Sequence, residues 1–401
     1  MGRVPRGTGP KARRTPDATV QVSRPEPRAS ASLVAVGWDA LPGWCEDDHD
    51  AALAALRRTA RHVAARGAHK SGSLGPSGEA FQPALDAALG FKGAARSFFE
   101  GWFAPFRVSG DGLGGPDGQG FVTGFYEPDL EVARERSTAF AHPIHAPPGS
   151  LRKNDGTLRA DYAWGWLGAE GAMGEAPDRP AIERDARAGG PLTRDWPVIA
   201  WARDRVDLFF AHVQGAARLH FADGAVRRVT YAAKSGHPFT GVGRELVAMS
   251  EIAPPVTMAS IRDWLARHPE RHDEVLHRNR SYIFFREAPV DDPGLGPVAA
   301  AKVPLAPGRS LAVDRRLHTF GTPIHVHAPS LRYDGRAFAR LMVAQETGTA
   351  IVGAARGDIF TGSGSSAGDL AGGIAHAASF AVLAPRPARG EPPAAFGATT
   401  P

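Results

Sequence analysis

Glycine and proline take about one position in five of this chain, 47 and 34 of its 401 residues, where an average chain gives them roughly 12%. Proline fixes φ and removes a backbone donor, and glycine gives up more conformational freedom on folding than any other residue. Long helices are therefore excluded over most of the length, and short strands joined by many turns are expected. Helical spacing is confined largely to the first third. Residues 48–65 begin with acids, place Leu53, Leu56, Ala60 and Val63 on one face, and stop at Gly67. A second helix is expected over 79–89 and a third over 94–103. The third gathers Phe98, Phe99, Trp102 and Phe103, with Phe106 just beyond, and their helical spacing assigns them to the core rather than to sugar stacking.

After a glycine-rich loop at 110–120, short runs read as strands: 121–126, 130–133, 197–203, 207–213, 217–221 and 226–232. The polar stretch 149–191 reads as an elaborate surface loop. Helices return at 243–251 and at 258–267, the latter capped by Thr257 and ended by Pro269. Strands are expected again at 282–286, 310–313, 323–327, 340–345, 350–352 and 379–383. The fold class is mainly β with N-terminal helices, and 43% hydrophobic residues allow a sizeable core.

The net charge of +5 names no partner. Much of the excess sits in residues 1–32, which carry Arg3, Arg6, Lys11, Arg13, Arg14, Arg24 and Arg28 among prolines and read as a disordered basic tail; 385–401 reads as a disordered end. The start has no apolar segment of secretory type, and no stretch is long enough to span a membrane. Cys45, the single cysteine, follows Trp44 and precedes three acids, so it suits neither a disulfide framework nor a lipid-attachment site and reads as a buried or idle thiol.

Other chemistries fail on spacing. Gly241-Val242-Gly243 lacks the third glycine of a dinucleotide site, and the 110–120 loop has no lysine for a phosphate cradle. The histidines, including the alternating His325 and His327, form no ligand set, so no metal and no cofactor are expected. Basic residues are scattered among acids, so nucleic acid is not expected as a partner. Glu346-Thr347-Gly348 is not an aspartic-protease half-site, since the acid is glutamate and no second copy exists.

The stretch 311–383 sets Asp314, Glu346 and Asp358 among short apolar runs. Asp358 follows Gly357 and precedes Ile359 and Phe360, with a glycine-rich turn after them and no cation beside it. A carboxyl group there is expected to be partly desolvated and held protonated, as a general acid requires.

Several blocks in one order carry a resemblance across about 33–383: Thr123-Gly124-Phe125-Tyr126-Glu127-Pro128, Asp207-Leu208-Phe209-Phe210 with Gln214-Gly215, Tyr231 to Phe239, Asn279 to Phe285, Ser310 to Arg316, Gly321-Thr322-Pro323 and Arg340 to Gly348. The chain resembles the membrane-bound lytic murein transglycosylase A family, and 311–383 resembles that family's three-aspartate (3D) module, whose third aspartate falls on Asp358. The resemblance implies a six-stranded double-psi β-barrel from 33–128 and 276–384, a second β-barrel-like domain inserted at 129–275, and a substrate groove between them. It also implies cleavage of the β-1,4 bond between N-acetylmuramic acid and N-acetylglucosamine in peptidoglycan without water, leaving a 1,6-anhydro ring. Asp358 would then act as acid and next as base, so that one carboxyl group suffices where glycosidases pair two.

Asp314, Glu346 and Arg315 are expected in support, Asp314 through an ion pair with a neighbouring arginine. Glu346 stands where the family has aspartate. Thr123, Tyr126, Gln214, Lys234 and His237 are expected to touch the glycan. Ala216, Ala217 and Ala233 depart from the family pattern near these contacts. The implied partner is the peptidoglycan strand, met by a monomer in the periplasm or at the outer membrane, with a wall-remodelling complex as a further partner. A hydrolase pairing Asp358 with Glu346 or Asp314, and a glycan-binding module without catalysis, stand as alternatives.

Overall fold

The computed structural model describes residues 31–115, 118–160 and 162–386. The terminal stretches expected to be disordered lie outside these residues, except that Ala31 and Ser32 already belong to one strand and Pro385 ends another. Strand β1 (Ala31–Ala35) is followed by helices α1 (His49–Arg66), α2 (Gln82–Gly90) and α3 (Ala95–Trp102), then by β2 (Phe103–Gly110) and β3 (Phe121–Glu127). Helix α1 starts where the Asp48 carboxylate accepts the Ala51 amide at 3.0 Å, and it stops at Gly67.

A long excursion follows: β4 (Asp129–Ala133), β5 (His142–His145), β6 (Leu151–Lys153), β7 (Trp164–Leu167), β8 (Met173–Gly174), α4 (Arg179–Ala188), β9 (Val198–Ala202), α5 (Arg205–Gln214), β10 (Ala216–Phe221), β11 (Val226–Lys234), α6 (Val242–Ala248), α7 (Met258–Arg267), α8 (His272–Leu276) and β12 (Ile283–Glu287). The chain closes with β13 (Ser310–Val313), β14 (Pro323–Tyr333), β15 (Arg336–Glu346), β16 (Arg356–Ser363), α9 (Ser365–Gly372), β17 (Ala375–Ala377) and β18 (Ser379–Pro385).

Nine strands from the two ends of the chain form one sheet in the order β1-β2-β18-β14-β15-β13-β16-β3-β17. Within it β13 pairs with β15, and β16 with β3, in parallel; the remaining pairs are antiparallel. The excursion builds a six-stranded sheet, β12-β11-β10-β4-β9-β5, and a small one, β6-β7-β8. The hydrogen-bonded orders are open, with β1 and β17 as edges of the large sheet, so no closed barrel is seen among the described residues. Register shifts at Leu311/Ala312, Ala328/Arg332 and Phe360/Ser363 bend the large sheet without pairing its edges.

Alternation along the central strands explains why they read as continuous apolar runs. Leu341 and Val343 of β15, with Ala381 and Leu383 of β18, join the core made by α1, α2 and α3. Met342, Ala344, Phe380 and Val382 point the other way, into a second core with Ile324, Val326 and Ile359. The sheet is thus covered on both faces. Phe98, Phe99 and Phe103 are buried in the helical core, whereas Trp102 is 38% exposed.

Four local expectations are corrected. Residues 207–213 are not a strand but most of α5, because Asp204 caps the Asp207 amide at 2.9 Å and Gly215 takes the left-handed φ of 77° that ends a helix. The run looked strand-like because its apolar residues are buried on two sides, Leu208 and Ala211 in one cluster and Phe209 and Phe210 in another. Residues 149–191 are not one loop but the sheet β6-β7-β8 plus α4, strands of two to four residues being too short to show a period. The strand expected at 350–352 is a turn, and the strand lies at β16 instead. Cys45 is exposed rather than buried. Among the described residues no helix is long and apolar enough to cross a membrane.

One buried ion pair fastens the helical layer to the sheet. Arg309 and Asp47, 7% and 2% exposed, meet at 2.8 and 3.0 Å, while Arg309 also donates to the Leu341 carbonyl and Asp47 accepts the Leu341 amide at 2.7 Å. Truncating Asp47 strands a buried guanidinium. Asp47→Ala is expected to lower stability by about 3–5 kcal/mol, and the paired change Asp47→Leu with Arg309→Met to return most of it, as read from urea denaturation midpoints.

Candidate functional site

The parallel pairing of β16 with β3 sets Asp358 opposite Thr123, and the antiparallel pairing of β13 with β16 sets Ala312 on its other side. Asp358 stands on the strand itself and not in a turn. Gly357 permits this packing, since a Cβ there would lie 2.9 Å from Leu311 and 3.0 Å from Phe380. The Thr123 hydroxyl donates to Asp358 Oδ1 at 2.6 Å and accepts from Arg356 at 2.7 Å. Arg356 also donates to the Gly357 carbonyl and lies 5.7 Å from the Phe121 ring centre.

A cation does therefore stand close to the acid. Arg356 is two residues upstream on the same strand, where the period of two puts both side chains on one face. That signal was in the sequence, and the immediate neighbours hid it. Burial pushes the Asp358 carboxyl above the usual aspartate range, and the Thr123 hydroxyl and Arg356 only partly offset it. The Arg356 guanidinium is held below its ordinary value, again by burial. Asp358 is nonetheless only half-buried, so it remains partly open to solvent.

The same row continues across the sheet to Glu346, which pairs with Ala312 through β15. Two strand spacings separate the Asp358 and Glu346 backbones, about 10 Å. Both Glu346 oxygens are occupied: Oε2 accepts the Ala300 amide at 3.0 Å and Oε1 its neighbour's, that of Thr347, at 2.8 Å. The first bond anchors the loop at 297–305, whose Ala299 and Leu305 pack with Phe360 and Phe125, the residues two places beyond Asp358 and Thr123 on their strands. Burial lifts the Glu346 pKa to about 7 against the pull of those amides and of Lys302.

Asp314 directly follows β13 and is 3% exposed. Its partner is Arg316, at 2.9 and 2.7 Å, and the Gly353 amide adds a bond at 3.2 Å. Burial raises its pKa, but Arg316 and the amides outweigh that and hold the carboxyl below the usual range. Arg315 makes no ion pair with Asp314; it lies 5.5 Å from the Phe320 ring centre.

The remaining candidates separate. Gln214 ends α5, and its Oε1 accepts the Tyr126 amide at 3.1 Å, joining the excursion to β3. Tyr126 is 6% exposed, with its hydroxyl 3.6 Å from Met258 Sδ and Gly368 of α9 against its ring, so it is packed away between the two parts. His237 is 1% exposed, with Nε2 at 2.7 Å from the Ala176 carbonyl and Nδ1 at 3.4 Å from the Tyr162 hydroxyl. Lys234 is half-buried at the end of β11. Ser363 and Glu127, farther along β16 and β3, bond at 2.6 Å. An open cleft of about 620 Å³ lies at Asp129, Glu131, Arg203, Asp207 and His220, away from Asp358, and arginines or His220 already pair its acids at Asp129, Glu131 and Asp207. Among the described residues no group of three or more His, Cys, Asp or Glu is placed to hold a metal ion.

A carboxyl group whose folded pKa is raised from 4.5 to about 7 favours the fold fully below pH 4.5 and loses that contribution as pH rises through 7. Thermal melts between pH 5 and 8 are expected to fall more for the parent protein than for Glu346→Gln. Equal slopes would show that Glu346 ionises freely.

Residues 121–286 match the MltA specific insert domain, and 309–384 match the 3D domain. The chain is similar to the crystal structure of a membrane-bound lytic murein transglycosylase from Agrobacterium tumefaciens, at 46% identity and TM-score 0.81 over 88% of this chain and 98% of that one. Membrane-bound lytic murein transglycosylase A of Escherichia coli is 29% identical over 297 residues, 71% of this chain and 72% of the relative. The structure of Escherichia coli MltA with bound chitohexaose is similar at 25% identity and TM-score 0.62, covering 89% and 95% of the two chains.

Proposed function

This chain belongs to the membrane-bound lytic murein transglycosylase A family, and from that membership we propose that it cleaves the β-1,4 bond between N-acetylmuramic acid and N-acetylglucosamine in peptidoglycan by intramolecular transfer, with Asp358 as acid and then base. The observation that carries the proposal is a desolvated carboxyl group gripped at one oxygen. Thr123 holds Oδ1, and no hydrogen bond from the described residues takes Oδ2. A protonated Asp358 donates to the glycosidic oxygen as the bond to C1 breaks and oxocarbenium character develops. The resulting carboxylate, stabilised by Thr123 and by the charge of Arg356 behind it, accepts the proton of the C6 hydroxyl as its oxygen closes on C1. The products are a 1,6-anhydro ring and a free 4-hydroxyl, and no water is consumed.

The paired-carboxylate hydrolase is disfavoured by the same geometry. Two backbone amides hold Glu346, and Arg316 with Gly353 holds Asp314, so neither is free to activate water. In this reading Asp314 and Glu346 are positioning residues, while Tyr126 and His237 pack the frame. We further propose that 33–128 and 276–384 form the catalytic domain and curl as a double-psi barrel, that 129–275 form the inserted domain, and that the glycan strand lies between them. Bound chitohexaose in the Escherichia coli relative supports a groove for β-1,4-linked amino sugars. Action on peptidoglycan, in the periplasm or at the outer membrane, follows from the chemistry of this substrate.

Asp358→Asn is expected to lower cleavage of purified peptidoglycan by at least about 100-fold, with the parent enzyme's products ending in anhydro sugars by mass spectrometry. Reducing ends, or near-normal activity in the variant, would overturn the assignment. Arg356 lowers the Asp358 pKa, so its removal raises it. Arg356→Gln is expected to move the alkaline limb of the pH–rate profile upward and to lower the maximum, because the base form loses its stabilising charge.

A further inference from the structure

The outer surface of β11 carries a feature that the cleavage chemistry does not use. Tyr231 is 40% exposed, and Trp164 of β7 donates its indole N–H to the Tyr231 hydroxyl at 3.1 Å. Trp164 is itself fixed, since Gly236, at φ 88°, lies so close that a Cβ there would be 2.2 Å from the Trp164 carbonyl oxygen. The register of β11 against β12 shifts between Tyr231 and Ala233. Tyr231 then pairs with Phe285 and Lys234 with Ile283, two ladder steps apart, so the bulge brings Tyr231 and Lys234 to one face although they are three apart in sequence. Lys234 has no hydrogen-bond or ion-pair partner among the described residues. Burial lowers its pKa and raises that of the Tyr231 hydroxyl. Tyr231 and Lys234 thus form a wall that is crowded by neighbouring protein and still reaches solvent.

The position of this wall is fixed by two hydrogen bonds. The Tyr231 amide donates to the Gly215 carbonyl at 2.7 Å, and the preceding residue, Gln214, accepts the Tyr126 amide at 3.1 Å. Tyr126 lies three residues along β3 from Thr123, the partner of Asp358. We propose that Trp164, Tyr231 and Lys234 form a distal subsite for the peptidoglycan strand, in which one amino-sugar ring stacks on the rigid Tyr231 face and Lys234 takes a carboxylate of the attached stem peptide. An aromatic ring held by a hydrogen bond offers flat apolar surface at low entropic cost. An unpaired, partly desolvated ammonium suits an anion, and a plain amino-sugar polymer carries none. The subsite therefore selects carboxylate-bearing strands over uncharged ones.

The inference rests on the proposed function, and binding measured in the Asp358→Asn protein separates the two. The probes are peptidoglycan fragments with stem peptides, the same fragments with their carboxylates amidated, and chitohexaose. Lys234→Gln is expected to weaken binding of the carboxylate-bearing fragments about tenfold while leaving the other two within twofold. Tyr231→Ala is expected to weaken all three by a similar factor, and Tyr231→Phe to keep most of the affinity because the ring remains. Unchanged binding in Tyr231→Ala, or equal losses on all three probes in Lys234→Gln, would overturn the subsite and leave the cleavage mechanism standing. Failure of the Asp358→Asn protein to bind any probe would overturn both.

Discussion

The parallel register of β3 on β16 is the constraint on which the site depends. It sets Thr123 opposite Asp358 and, one step either way, Val122 opposite Gly357 and Gly124 opposite Ile359. A slip of one residue would turn Asp358 toward the core that holds Ile359 and bring an apolar side chain to the groove. The register is secured from several directions. Thr361 donates to the Phe125 carbonyl at 3.0 Å, Ser363 to Glu127 at 2.6 Å, and the Gly364 amide to the Glu127 carbonyl at 2.8 Å. Burial of Val122 and Ile359 on one face and Phe360 on the other does the rest.

Within that register the acid is tuned by opposing effects, of which desolvation is the largest. Each unit of pKa is about 1.4 kcal/mol of preference between the two protonation states. Desolvation favours the neutral form that the proposed reaction begins with, and Thr123 and Arg356 favour the charged form it would end with. Placing the cation one hydroxyl away, instead of in contact with Asp358, keeps its pull moderate. Glu346 holds the 297–305 loop, which packs against Phe125 and Phe360 two places along the strands from Thr123 and Asp358.

Much of this was legible in the residues. The mainly β character with N-terminal helices followed from pattern and resemblance, as did the choice of Asp358 and Thr123 as candidates, though Thr123 was expected at the glycan and its bond to Asp358 was not foreseen. What was missed has physical causes. Arg356 is adjacent only in the strand period, and β16 was hidden because Gly357 and Gly362 read as turn residues. The packing that requires Gly357, against Leu311 and Phe380, is not local in sequence. Helix α5 passed for a strand because two clusters bury it. His237 and Tyr126 carry polar groups that suit a ligand, yet their partners are a carbonyl and a methionine sulfur far along the chain. Burial of that kind leaves no mark on a single sequence. Trp164 and Tyr231 gave no signal, because a bulge and a contact between separate sheets bring them together.

The interleaving of the large sheet has a consequence for how the protein is made. Strand β2 lies between β1 and β18, with Arg107 against Ala381, and β3 finds its parallel partner only at β16. The whole excursion from β4 to β12 must be synthesised before either contact can form, and closing so long a loop is an entropic cost met late in folding. Thr123 meets Asp358 only after nearly the entire chain has left the ribosome. A product truncated before β16 therefore lacks the Thr123–Asp358 contact, and with the role proposed for Asp358 an activity that cuts structural polymer exists only in a finished molecule.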